Sequence, residues 1–206
     1  MDINDLSRTL RANRLELFSN RDLGVLFPAQ DERLTNLQLH QWVRRGRIRR
    51  MRRGLFQLAY PDAVGLPDLF VANRLYGPSY VSLDTALSHH GIIPDVAVQV
   101  TSTTSGNTRR FTNEYGLFTY FSVKPSAFRG YSAIAIEGWP VLMADPEKAV
   151  VDRLYAGLRR GESLHGLTGR WNADKMTGMD TRKISGYALL FGSSAGRIRE
   201  AVRAFA

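Results

Sequence analysis

The chain has 206 residues, 44% of them apolar and 23% charged, with a net charge of +9 at pH 7 and no cysteine. That size suits a small module joined to a larger one, and the composition excludes disulfides, thiolate metal sites and thiol nucleophiles. The start, Met1-Asp2-Ile3-Asn4-Asp5, carries no basic end or apolar run, and no stretch approaches the roughly 18 apolar residues of a membrane span, so a cytoplasmic protein without membrane contact is expected.

Leu6, Leu10, Leu15 and Leu17 lie in a polar stretch that reads as a first amphipathic helix. Ser19 caps a second, short helix, with Asp22 three residues on as an acidic variant of the capping box, and that helix stops before Pro28. Thr35 is read as the cap of a third, Asn36 to Arg45, closed by Gly46. At 100° per residue this helix turns Leu39, Trp42 and Val43 to one side, and Leu37, His40, Gln41 and Arg44 to the other. Arg47 to Met51 and Leu55 to Leu58 then read as two strands joined by a turn at Arg52-Arg53-Gly54. Three helices followed by an arginine-tipped hairpin is the winged-helix order.

Pro61, Gly65 and Pro67 mark a boundary. Beyond it, Asp68 to Tyr76 and a Ser82-capped helix from Leu83 to His90 precede Val96 to Thr103, Thr108 to Thr112 and Leu117 to Val123, which alternate in character and read as a β meander. Tyr131 to Ile136 and Val141 to Met143 are further strand candidates. Asp145-Pro146 opens an amphipathic helix running to Gly161. Ile184, Tyr187, Ala188 and Phe191, then Ile198, Ala201, Val202 and Phe205, mark two more, while 162–178 gives no clear pattern. The expected class is α+β: a winged helix-turn-helix over residues 1–60, then a larger mixed domain over 61–206 with a β meander packed by helices.

Charge follows the same division. Of 28 basic residues 24 are arginine; residues 1–60 hold 12 arginines against 6 acids, and the rest holds 16 basic against 13 acidic residues. Arg44 to Arg53 has seven arginines in ten positions and no acid. Arginine suits bidentate contact with phosphate and guanine, so the expected partner is duplex DNA. The DNA-binding candidates are Thr35, Asn36, Gln38, His40, Gln41, Arg44, Arg45, Arg47, Arg49, Arg50, Arg52 and Arg53. Trp42 reads as core. Leu37 either packs on the preceding loop or meets a thymine methyl.

Several segments resemble the antitoxins of AbiE-type (abortive infection) bacterial toxin–antitoxin systems, called type IV. They are Trp42 to Phe56, across the junction of helix and hairpin; Ala72 to Leu83 with Ala86-Leu87-Ser88 and Gly91 to Pro94; Thr108 to Phe111 with Gly116-Leu117-Phe118; and Pro146-Glu147-Lys148-Ala149. The resemblance covers the chain to about residue 160. It implies a repressor that binds inverted repeats in its own promoter and also counteracts a nucleotidyltransferase toxin without a stable complex. The other class of reading is a stand-alone winged-helix regulator whose second domain senses a ligand or dimerises.

Thr101 to Ser105 with Arg109 and Arg110 is a candidate second basic site for phosphate, against a plain hairpin face and turn. His89 and His90 diverge by about 100° on a helix and do not chelate one ion. Gly192 to Arg197 echoes a phosphate loop, but its glycines are four apart and no Lys-Ser/Thr follows; a helix end and a serine cap explain it. Read as a nucleotidyltransferase opening, Gly192-Ser193 lacks paired carboxylates downstream. No nuclease, serine-hydrolase or zinc-protease motif is present. No catalytic residue, metal site or cofactor is expected.

Overall fold

The computed structural model describes every residue except Asp62, Val96, Ala97, Ala204 and Ala206. Two compact units divide the chain, Met1–Leu66 and Pro67–Ala206, and the class is α+β.

In the first unit, α1 (Ile3–Ala12) is capped by Asp2, with Asp5 completing a capping box. The chain leaves it through Arg14, at φ 53°, so Leu15 and Leu17 lie outside the helix expected to hold them. Leu17 instead starts a three-residue strand, β1 (Leu17–Ser19). α2 (Asn20–Leu26) has the expected Ser19–Asp22 box in both directions. α3 (Glu32–Arg44) begins earlier than its apolar spacing predicts, because Asp31 caps it by accepting from the Leu34 amide. Thr35 is inside the helix, where its hydroxyl donates back to the Asp31 carbonyl at 3.0 Å. Gly46, at φ +65°, ends this segment in a left-handed conformation that costs glycine little.

β2 (Ile48–Arg52) and β3 (Leu55–Leu58) form the hairpin, and the antiparallel sheet has the order β1-β3-β2. A register shift between Arg50 and Arg52 leaves Met51 as an extra residue, a bulge that bends and twists the strand next to the Arg53-Gly54 turn. Leu6, Leu10, Phe18, Leu23, Leu39, Trp42, Ile48, Phe56 and Leu58 fill the core. The order α1-β1-α2-α3-β2-β3 is that of a winged helix. This unit extends past the expected end at residue 60. The Ala59 and Tyr60 amides donate to the Arg47 carbonyl, and the Gln57 side chain donates to the Val64 carbonyl at 2.7 Å.

The larger unit contains α4 (Asp68–Leu75), β4 (Ser79–Val81), α5 (Leu83–His89), β5 (Val100–Thr104), β6 (Arg109–Asn113), β7 (Gly116–Ser122), β8 (Tyr131–Ile136), β9 (Trp139–Ala144) and α6 (Pro146–Arg159). The sheet order is β6-β7-β5-β4-β9-β8, parallel at β5–β7 and β4–β9. The three strands expected as a meander are therefore present without meander order, since β7 lies between β5 and β6. Burial gives the reason: β5 is buried throughout and needs a strand on each side, whereas the exposed Arg109 and Arg110 of β6 belong at an edge. β5 also starts later than the expected Val96, which lies outside the described residues, and Val98 is fully exposed.

Alternation along β7 separates the sheet's two faces. The Tyr120 hydroxyl donates to the Ala72 carbonyl of α4 at 2.6 Å, while the next residue, Phe121, meets Tyr155 of α6 edge-on. α6 has the expected Asp145 cap and proline start. The unpatterned 162–178 holds two five-residue helices, α7 (Leu164–Thr168) and α8 (Ala173–Thr177), capped by Ser163 and Asn172. α9 (Thr181–Leu189) and α10 (Ala195–Arg203) follow, joined through a 3-10 turn at Gly192–Ser194 where a serine cap was expected.

Candidate nucleic-acid interface

Burying Leu39 and Trp42 fixes the rotation of α3, and the helical period then turns Arg33, Leu37, His40, Gln41 and Arg44 outward, all exposed. Leu37 is 56% exposed. Asn36 accepts a hydrogen bond from the Asn20 side chain at the start of α2. Between α3 and the hairpin lies a hollow of about 470 Å³, lined by Asn20, Asn36, His40 and Arg44 on one side and by Arg50 and Arg53 on the other. Leu39, Val43 and Phe56 also line it. Arg44, Arg50 and Arg53 have no ion-pair partner among the described residues.

Five of the twelve candidates, Asn36, His40, Arg44, Arg50 and Arg53, thus line one hollow, and Gln41 and Arg45 are exposed on α3 and at its C-cap. The others are placed differently. Thr35 is 8% exposed and its hydroxyl is committed to its own helix, so it is neither the cap nor a surface group. The Gln38 amide donates to the Met1 carbonyl at 2.6 Å, which anchors the N-terminus. Arg47 is half-buried, with its guanidinium 4.1 Å from the Tyr60 ring centroid. Arg49 and Arg52 are half-buried strand residues, and Arg52 donates to the Arg53 carbonyl. Arg33 and Asn20 were not among the candidates. Asp31, three residues before the Leu34 amide it caps, was the signal for a helix starting one turn earlier and carrying Arg33 on its outer face.

The second basic site comes together only in part. Arg109 and Arg110 are exposed on β6, and three of the nearby hydroxyls are committed inward. Thr101 donates to the Ser82 carbonyl at 2.8 Å, Thr103 to the Asp152 carboxylate at 3.2 Å and Thr104 to the Pro78 carbonyl at 2.7 Å. Arg110 lines one hollow with Thr101 and with Arg170, which pairs with Asp95 at 2.8 Å.

Within the larger unit, Tyr80, Ser82 and Lys148 meet Asp152 in the interior. Lys148 and Asp152, one turn apart on α6, form an ion pair with both side chains fully buried. One Asp152 oxygen also accepts from the Tyr80 and Ser82 hydroxyls, each at 2.9 Å. The Lys148 ammonium lies 5.6 Å from the Tyr80 ring centroid and 5.1 Å from that of Phe191. Burial, reinforced by the Asp152 charge, pushes the Tyr80 phenol far above its ordinary range. Ser82 makes no cap hydrogen bond to α5, and Leu83 after it is left-handed, at φ 58°, and buried. Asn73 bonds both the N–H and the C=O of Leu142 in β9. The His90 ring nitrogen donates to the Ala144 carbonyl at 2.9 Å, and its ring meets that of His89 edge-on.

Among the described residues no helix is long and apolar enough to cross a membrane, and no three His, Asp or Glu side chains gather as metal ligands. No protein-family model and no curated protein sequence matches the chain. Among solved structures, the chain is similar to the RV2827C protein from Mycobacterium tuberculosis, at 12% identity and a TM-score of 0.46, over 95% of this chain and 78% of that one. Identity and superposition this low carry no functional implication.

Proposed function

We propose that the protein binds duplex DNA through its N-terminal unit, represses its own promoter at inverted repeats, and acts as the antitoxin against a nucleotidyltransferase toxin. The observation that carries the DNA reading is the shared hollow in which Asn36, His40 and Arg44 of α3 face Arg50 and Arg53 of the hairpin. A major groove about 12 Å wide admits one helix, and the groups on this helix suit base edges: arginine pairs bidentately with guanine, and asparagine or glutamine with adenine. With α3 so placed, the hairpin arginines meet the phosphate backbone, which supplies affinity but no sequence information. Leu37, at the centre of the outward face, offers an apolar contact suited to a thymine methyl.

The test is fluorescence anisotropy with a duplex from the promoter and a scrambled duplex of equal length, over a range of salt. About five phosphate contacts give a log–log slope near −4.5, from roughly −0.9 per phosphate. A slope near zero, or equal affinity for the two duplexes, refutes the reading. The antitoxin part rests on the resemblance, and its test is growth of cells expressing the toxin encoded beside this gene. Residues 67–206 expressed from a foreign promoter are expected to restore growth without binding the promoter duplex. A folded, abundant fragment that gives no rescue excludes that division of labour.

A further inference from the structure

β8 ends the six-stranded sheet, and an end strand presents unpaired N–H and C=O groups that can template pairing with another chain. Short or charged end strands suppress such pairing, and the molecule's other end strands have one property or the other. β1 has three residues, β2 carries Arg49, Arg50 and Arg52, and β6 opens on two exposed arginines. β8 is different. Its six residues, Tyr-Ser-Ala-Ile-Ala-Ile, include no charge and no proline, and Ser132, Ala133 and Ala135 are exposed.

Just beyond its two ends lie Arg129 and Glu137, both exposed and neither paired among the described residues. They are equally far from Ala133. We propose that β8 pairs antiparallel with β8 of a second copy of this chain, about a two-fold axis at Ala133. That register sets Tyr131 opposite Ala135 and Ser132 opposite Ile134, and brings Arg129, just before the strand in each copy, to the end where Glu137 of the other copy opens its turn. A two-fold contact must be self-complementary, and a strand flanked by a base at one end and an acid at the other meets that requirement only with a copy running the opposite way. The small side chain at the axis leaves the two backbones free to approach. The inference rests on the larger unit alone and goes beyond the DNA reading.

Light scattering on the full-length protein tests it. The wild type is expected at twice the 23.2 kDa chain mass. Ala133→Lys, which sets two ammonium groups face to face, is expected at one chain mass with an unchanged circular dichroism spectrum. Arg129→Glu and Glu137→Arg alone should each lower the dimer fraction, and the double reversal should restore it. Ala133→Cys gives an independent measurement in a chain that otherwise lacks cysteine. Opposed residues of an antiparallel pair have Cα atoms about 4.5 to 5.5 Å apart, within disulfide reach, so mild oxidation should link two chains. Three results overturn the proposal: a wild type of single-chain mass at every concentration, a dimer indifferent to Ala133→Lys, or an Ala133→Cys protein that does not cross-link.

Discussion

Arg44, Arg50 and Arg53 in the N-terminal unit stand exposed with no carboxylate partner among the described residues, whereas Lys148, Arg153, Arg160, Arg170 and Lys183 in the larger unit each meet an Asp or Glu. Gathering unpaired like charges on a small unit opposes its own folding, and a polyanion reverses that cost on binding. Pairing these five charges produces a frame instead. Arg153 joins Asp84 of α5 to Glu162 beyond α6, and Lys183 of α9 reaches Asp145 and Glu147 at the start of α6. These five basic residues thus set internal geometry in the larger unit, while the three of the N-terminal unit are free for the DNA proposed above.

The sharpest way to break this contrast is Asp152→Ala, which leaves the Lys148 ammonium buried and unpaired. A loss of about 3 to 5 kcal/mol is expected from denaturant unfolding, and a variant as stable as the wild type would mean that the pair has no structural part. Arg44→Ala should cost about 1 to 3 kcal/mol on the promoter duplex and little on scrambled DNA, with unfolding unchanged. Arg53→Ala should weaken both duplexes alike and flatten the log–log salt slope by about 0.9; a selective loss would move Arg53 from the backbone to the bases.

The smallest expected effect is on pH dependence. Burial raises the Glu162 carboxyl, but hydrogen bonds and charge from Arg160 and Arg153 outweigh it and hold the group below its ordinary value. A depressed carboxyl stabilises above its unfolded value and loses that contribution as pH falls through the folded one. Thermal melts should therefore show a modest loss starting below about pH 4.3, reduced in Glu162→Gln.

Local signals were legible in the chain: the Ser19–Asp22 box, the Asp145-Pro146 start and the apolar stripe of α3 each depend on neighbours within a turn. Thr35 was misread because a threonine before a periodic run resembles a cap, while the true cap, Asp31, is followed by the exposed Leu34, which breaks the stripe. β1 was hidden because Leu15 and Leu17 continue a helical spacing that Arg14 interrupts. The order of β5, β6 and β7 depends on which strands the rest of the unit buries, which no local window contains. Lys148 and Asp152, at a spacing typical of solvent-facing helix pairs, become interior only because α6 turns that side toward the sheet. For the hollow, the outward period of α3 and the arginine hairpin were readable, but the commitments of Gln38 and Arg47 were set by Met1 and Tyr60.

The left-handed backbone at Leu83 shows how one conformation can be worth removing at one place and keeping at another. A non-glycine residue there costs on the order of 1 to 3 kcal/mol, yet truncating a buried leucine costs about 2 to 5, so replacing Leu83 with glycine should lose more than it relieves. Arg14 has nearly the same φ but is exposed and has no core to fill. Glycine at position 14 should raise the melting temperature of the N-terminal unit, which makes this turn a place where thermostability can be gained without touching the hollow between α3 and the hairpin.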